Sequence, residues 1–232
     1  MTTVSRSARL RTILGWPAGI AVVSWRYMWR TIPLHRSEES GTRADLPDLA
    51  YDTSEFADQH QPLDAGVGPM LHRSYAVRIV GSSMTSPALI DLVSAKLNQA
   101  SPEMAVFRKT RGARSALRQD DEFVVRMPGP WDGPVRVVRR DENSFRLATL
   151  DGHLEAGEIE FRAEPDGHAL HFEIESWARA GDRLSALLYN KLRLAKEIQL
   201  NMWSHFYVRA AELAGGRPEG GITIRTRWVP WP

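Results

Sequence analysis

The chain is 232 residues long, 43% hydrophobic, 25% charged and 9% aromatic, with a formal net charge of +2. These proportions belong to a globular protein with a sizeable core and exclude a disordered, collagen-like or disulfide-stapled chain. The absence of cysteine excludes disulfides, cysteine-ligated zinc, iron–sulfur clusters and thiol nucleophiles, and no stretch approaches the roughly 20 apolar residues of a membrane span.

Residues 1–36 hold six arginines and no acid, which leaves residues 37–232 at −4. A nucleic-acid binder shows a basic face on its folded domain, so no nucleic-acid partner is expected. Within 1–36, Pro17 is placed to open a helix and Pro33 to close it. Arginines interleaved with Trp16, Trp25, Tyr27 and Trp29 suit an interfacial membrane helix, with Trp16, Trp25, Arg26, Trp29 and Arg30 as its contacts. A second reading packs the segment on the domain or a partner, with Trp25 and Trp29 filling a groove. A third takes Ile13–Val23 as a signal-peptide core, but no small-x-small cleavage pattern follows and Arg26 and Arg30 arrive at once. Residues 37–70 are acidic, broken by Gly and Pro, and read as a linker or irregular strap.

Residues 71–215 carry the periodic patterns of a packed domain. Tyr75–Val80 alternates like a half-buried strand. Ser86 is placed to cap a helix with Pro87 at its first position and Leu89, Leu92, Val93 and Leu97 as its apolar stripe. Period-two alternation then marks Phe123/Val125/Met127, Val135/Val137, Phe145/Leu147, Ile159/Phe161 and Leu170/Phe172/Ile174. Short turns between these strands predict an antiparallel meander. From Asp182 the period becomes helical, with Leu184, Leu187, Leu188, Leu192, Ala195, Ile198, Met202, Phe206, Ala210 and Leu213 on one stripe. A helix of about 30 residues, roughly 45 Å long, is expected to end near Gly215. Residues 216–232 form a tail in which Ile222–Trp228 alternates like an edge strand.

Strand, short helix, meander and long final helix predict an α+β helix-grip: an antiparallel β-meander wrapped around a C-terminal α-helix. The chain resembles an uncharacterised bacterial and plant family of the START-like, birch-pollen-allergen-type superfamily. The residues that carry the likeness are Gly129–Val138, similar to a Trp-x-Gly-Pro-Val-Arg-Val-Val signature, Gly152–Phe161, similar to Gly-His-x-x-x-Gly-Glu-x-x-Phe, and Ser176–Arg179. The family has Pro after that arginine, whereas this chain has Ala180. The resemblance covers about residues 70–214 and brings no reaction with it.

The superfamily's ligand space lies between sheet and final helix. Alternation sets Met127, Val137, Leu147, Phe161 and Phe172 facing Leu188, Leu192, Met202 and Phe206 across it. By residue type these side chains fill a core, since close packing is the default of an interior. The resemblance implies a cavity or groove for an acyl chain, sterol or polyketide-like body. His153 and Glu158 flank a Gly-containing turn, either as a proton-exchanging or ligand-orienting pair at a cavity mouth or as partners of the turn's own backbone. Trp131, in a Gly- and Pro-rich loop, either plugs an opening or anchors the hairpin. Tyr189, Lys191, Asn201 and His205 interrupt or flank the helical stripe. No histidine pair has metal-ligand spacing, and the nucleophile-elbow, dinucleotide and P-loop patterns are absent, so neither metal nor cofactor is expected. The expected function is binding of a hydrophobic small molecule or lipid by a cytoplasmic protein able to reach the membrane surface. The alternatives are an enzyme using His153 and Glu158 on a polyketide- or steroid-like substrate, and a membrane-associated interaction protein acting through its N-terminus.

Overall fold

The computed structural model describes residues 33–48, 59–102, 105–113, 116–126, 132–182 and 194–231. One nine-stranded sheet organises them. Its strands are β1 (Leu34–Ser40), β2 (Val67–Val80), β3 (Val106–Arg111), β4 (Glu122–Arg126), β5 (Asp132–Arg140), β6 (Ser144–Thr149), β7 (Glu155–Asp166), β8 (Ala169–Ala180) and β9 (Arg217–Val229). The helices are α1 (Ser86–Ala95), the single turn α2 (Leu97–Ala100) and α3 (Leu194–Leu213). Strand order is β1-β9-β2-β8-β7-β6-β5-β4-β3. From β3 to β8 the strands pair in sequence order and antiparallel. The meander read from period-two alternation is therefore present, and the fold is the expected helix-grip.

Three features differ from the sequence reading. The tail strand β9 is not an edge: it lies between β2 and β1, antiparallel to one and parallel to the other. Ile222 and Ile224 thereby reach the main core, which an edge position would have left half-solvated. Residues 34–36, read as the end of the helical N-terminal segment, instead begin β1 (Leu34–Ser40), which runs on into the linker or strap region, and that region adds two 3-10 turns, Arg43–Asp45 and Leu63–Ala65. Polar β1 residues with no alternation signal pair there because β9 supplies the ladder. The α1 cap is Thr85 rather than Ser86, its Oγ1 accepting from the Ala88 N–H at 3.4 Å.

The core lies between the inner sheet face and the helices. Rings of Phe145 and Phe161 stack at 4.5 Å, and Phe161, Phe172, Trp203, Phe206 and Tyr207 meet at centroid distances of 5.4–6.4 Å. The stripe that α3 presents is Trp203, Phe206, Tyr207, Ala210 and Ala211, continued by Ala214 just past its end. Met202 and Leu213, expected on the stripe, lie at its flank. Sequence hydropathy misplaces the stripe because Trp203 and Tyr207 bring polar tips inward and the alanines permit close approach. Tyr207 fixes that approach: its hydroxyl accepts from the Ile174 N–H at 2.8 Å and donates to the Tyr75 carbonyl. A helix side chain thus joins two neighbouring strands.

Candidate functional site

Strand pairing sets two rows of side chains across the sheet, one on each face. On the inner face, one register row runs Val137–Leu147–Ile159–Ser176–Arg73–Thr226–Glu38 across β5, β6, β7, β8, β2, β9 and β1. Three apolar residues give way to a hydroxyl, a guanidinium, another hydroxyl and a carboxylate. Arg73 is only 3% exposed, and Ser176 and Thr226 are buried beside it. The adjoining Tyr75 hydroxyl bonds the Arg73 side chain; burial first, and the Glu155 carboxylate with it, push the phenol above its ordinary pKa despite the opposing guanidinium. Trp203 packs against Tyr75 at 6.5 Å. Burying this many polar groups inside a grip costs free energy that an apolar row would not.

Of the ligand-lining residues read from the sequence, Val137, Leu147, Phe161, Phe172 and Phe206 all reach the inner core. Around Phe161, Phe172 and Phe206 the space between sheet and α3 is filled by the chain's own rings. Met202 is partly buried against the same cluster. Met127, Trp131, Leu188 and Leu192 lie outside the described residues, as do Tyr189, Lys191 and the N-terminal Trp16, Trp25, Arg26, Trp29 and Arg30. Among the described residues no helix is long and apolar enough to cross a membrane.

His153 and Glu158 are not a couple. Glu158 alternates with the inner residues Ile159 and Phe161 and so leaves the outer sheet face. There it meets Arg146, at 3.2 Å, and is 4% exposed. Burial raises its pKa against the pull of Arg146. His153 sits on the inner side, with Nε2 3.0 Å from where a Cβ on Gly133 would stand. Its Nδ1 accepts the Glu155 N–H at 2.9 Å. Desolvation pushes its pKa down to about 4, against the contact with the Glu155 backbone, so the ring is neutral. A sheet separates the two groups, and the acid–base pair suggested by their spacing does not form. The Gly157 between them is required by its backbone: φ is +146°, and a Cβ would lie 2.0 Å from the Trp177 carbonyl.

The outer face holds a second row that sequence reading missed. Glu122–Arg136–Ala148–Glu158–Trp177–His72–Arg227–Glu39 crosses eight strands in register. Arg136 binds Glu122 at 2.7 Å and the Gln59 side chain at 3.0 Å. Arg146 spans Glu158 and Glu160, donates to the Asp48 carbonyl and lies 5.1 Å from the Trp177 ring. Burial opposes the Arg146 charge, but Glu160 and Glu158 outweigh it and raise its pKa. His72 stacks on Trp177 at 5.4 Å and bridges Glu175, at 2.7 Å, and Asp45, at 3.2 Å. Burial lowers its affinity for a proton, yet Glu175 and Asp45 prevail and the pKa rises. Asp45 also takes Arg227 at 2.8 Å.

This network pins residues 41–48 to the sheet. Residues 59–66 are held by the Gln61 N–H on the Thr149 carbonyl, by the Thr149 hydroxyl on the Gln61 carbonyl, by the Gln61 side chain on the His153 and Glu155 carbonyls, and by Arg179 on the Leu63 carbonyl. Beneath them Leu63, Met70, Trp177, Val229 and Trp231 form a second small core. The period of two could have revealed Arg73, Ser176 and Thr226, which share parity with Tyr75, Ile174 and Ile224. No local signal announces that the opposite face is also covered.

A meander of antiparallel strands closed by a C-terminal helix on one face defines the START-like, birch-pollen-allergen-type helix-grip class. Within it the chain belongs to the family described as "Domain of unknown function (DUF1990)", whose model matches residues 71–210. No curated protein matches the chain in sequence. Among solved structures it is similar to a START superfamily protein from Mycobacterium smegmatis, with a TM-score of 0.45 and 14% identity over 61% of this chain and 99% of that one. A protein from Thermobifida fusca has a TM-score of 0.45 and 18% identity over 63% and 93% of the two chains. The di-domain ARO/CYC protein StfQ of the steffimycin biosynthetic pathway has a TM-score of 0.45 and 9% identity over 63% and 49%. Likeness at this level carries neither ligand nor reaction across.

Proposed function

We propose that the chain binds an amphipathic small molecule or lipid across the inner sheet face, beyond the solid aromatic core. Its apolar body lies along Val137, Leu147 and Ile159, and its polar group meets Ser176, Arg73 and Thr226. The observation that carries this reading is the change of the inner row from apolar to polar, with a charged side chain buried inside the grip. Stability alone favours an apolar residue at position 73. Few convergent polar groups in an otherwise apolar site are what orient a small ligand. The His153–Glu158 pair does not support an enzyme, because Glu158 stands on the other face.

The test is native mass spectrometry of the purified full chain, followed by titration with a fluorescent fatty-acid probe. A co-purifying mass and saturable probe binding are expected. Ile159→Trp, which overfills the row, should lower probe affinity about tenfold or more, whereas Arg225→Ala on the exposed outer side of β9 should not. Absence of both adduct and saturable binding refutes the reading, as does equal affinity of the Ile159→Trp variant.

A further inference from the structure

The nine-stranded sheet has two edges, β1 and β3, and they differ in chemistry. An uncovered edge offers its unpaired N–H and C=O groups to another strand, and like charges or bulges are the usual protection. Edge β3 has both: Arg108, Lys109 and Arg111 without an acid, and a register shift between Lys109 and Arg111. Edge β1, Leu-His-Arg-Ser-Glu-Glu-Ser, has a regular seven-residue register against β9 and is exposed at every residue. Its basic half precedes its acidic half.

We propose that β1 is a self-pairing edge, along which two copies of the chain join antiparallel about a two-fold axis at Ser37. The backbone restricts the register. The Pro33 carbonyl accepts from Ile222 and the Gly41 N–H donates to Trp228, so the odd-numbered residues of β1 turn their backbone groups toward β9. The even-numbered Leu34, Arg36, Glu38 and Ser40 turn theirs outward. In an antiparallel ladder, outward-turned residues must stand opposite one another, so the axis falls on a residue rather than between two.

Centred on Ser37, the pairing sets Arg36 against Glu38 of the second copy and His35 against its Glu39, each twice by symmetry. Centred on Arg36 or on Glu38 it would oppose two identical charges. Opposite charges directly across a ladder attract and like charges repel, so one register is selected. His35 already contacts the Gly220 carbonyl and Glu39 the Arg227 side chain, while Arg36 and Glu38 also interact within their own chain. The His35 and Glu39 contacts are solvent-exposed and can be shared. The dimer would be one continuous sheet, with the ligand rows of both copies on the same side.

Sedimentation velocity of the full chain from about 1 to about 100 µM, a range spanning ordinary dimer affinities, should show a concentration-dependent species of twice the 26.1 kDa chain mass. Arg36→Glu and Glu38→Arg, which each place like charges across the axis, should each weaken it about tenfold or more. An equimolar mixture of the two variants should restore it, because each supplies the charge the other lacks; circular dichroism checks that both remain folded. A monomer throughout the range overturns the proposal and leaves the edge to some other occupant, such as the chain's own residues 1–32. A dimer indifferent to both substitutions, or a mixture that stays dissociated, overturns it as well.

Discussion

Tyr207 ties the final helix to the middle of the sheet through one oxygen, and removing that oxygen tests how the grip is held. In Tyr207→Phe the ring remains in contact with Phe172, at 5.4 Å in the native arrangement, so packing is nearly conserved. The Ile174 N–H and the Tyr75 carbonyl lose their shared partner in a fully buried position. An unsatisfied buried group costs about 1–3 kcal/mol. Tyr75 and Ile174 are register partners on β2 and β8 and can move toward each other, which recovers part of the loss. The expected destabilisation is therefore about 3 kcal/mol, or roughly 6–12 °C in Tm for a chain of this size. Guanidinium titration followed by circular dichroism, with thermal melts alongside, measures it. A loss under about 0.5 kcal/mol, no more than an ordinary surface change, would refute the view that the hydroxyl bridges helix and strands.

Two further outcomes follow from the outer face and its turn. His72 has a pKa raised by Glu175 and Asp45 over the effect of burial; its stabilising contribution is full below the unfolded value near 6.5 and is lost as pH climbs through the higher folded value. Stability should decline across that window in the native chain, and His72→Gln should flatten the slope; an unchanged slope would place the titration elsewhere. Gly157→Ala should cost more than about 3 kcal/mol or prevent folding, because the backbone at φ +146° and the Trp177 carbonyl both reject a Cβ. Soluble expression with native melting would contradict that geometry.

Several features were legible locally because they repeat at short range. Alternation in Phe145/Leu147, Ile159/Phe161 and Leu170/Phe172/Ile174 marks strands, and short turns between them leave antiparallel pairing as the simplest topology. Helical spacing after Asp182 marks the closing helix, although aromatic residues with polar tips hide the true stripe. Other features had no local signature. Leu34–Ser40 lacks an apolar face and becomes a strand only because Arg217–Val229 offers it a ladder. Arg146, Arg136 and Glu158 have the composition of solvated strand positions, and only the chain returning over the outer face buries them.

The parting of His153 from Glu158 shows the same division. Five residues of sequence suggested proximity, but β-strand side chains alternate between faces and a turn intervenes, so sequence distance does not set spatial distance. What the sequence by itself determined was the period of each segment, and hence its kind: meander, short helix and closing helix, with enough apolar surface to bury. What only the tertiary structure decided was which residues from distant strands share a register row, which face of the sheet is covered, and which strands end the sheet. Period is a property of neighbours along the chain, whereas a row of side chains across seven or eight strands depends on hydrogen-bonded registers that no single strand encodes.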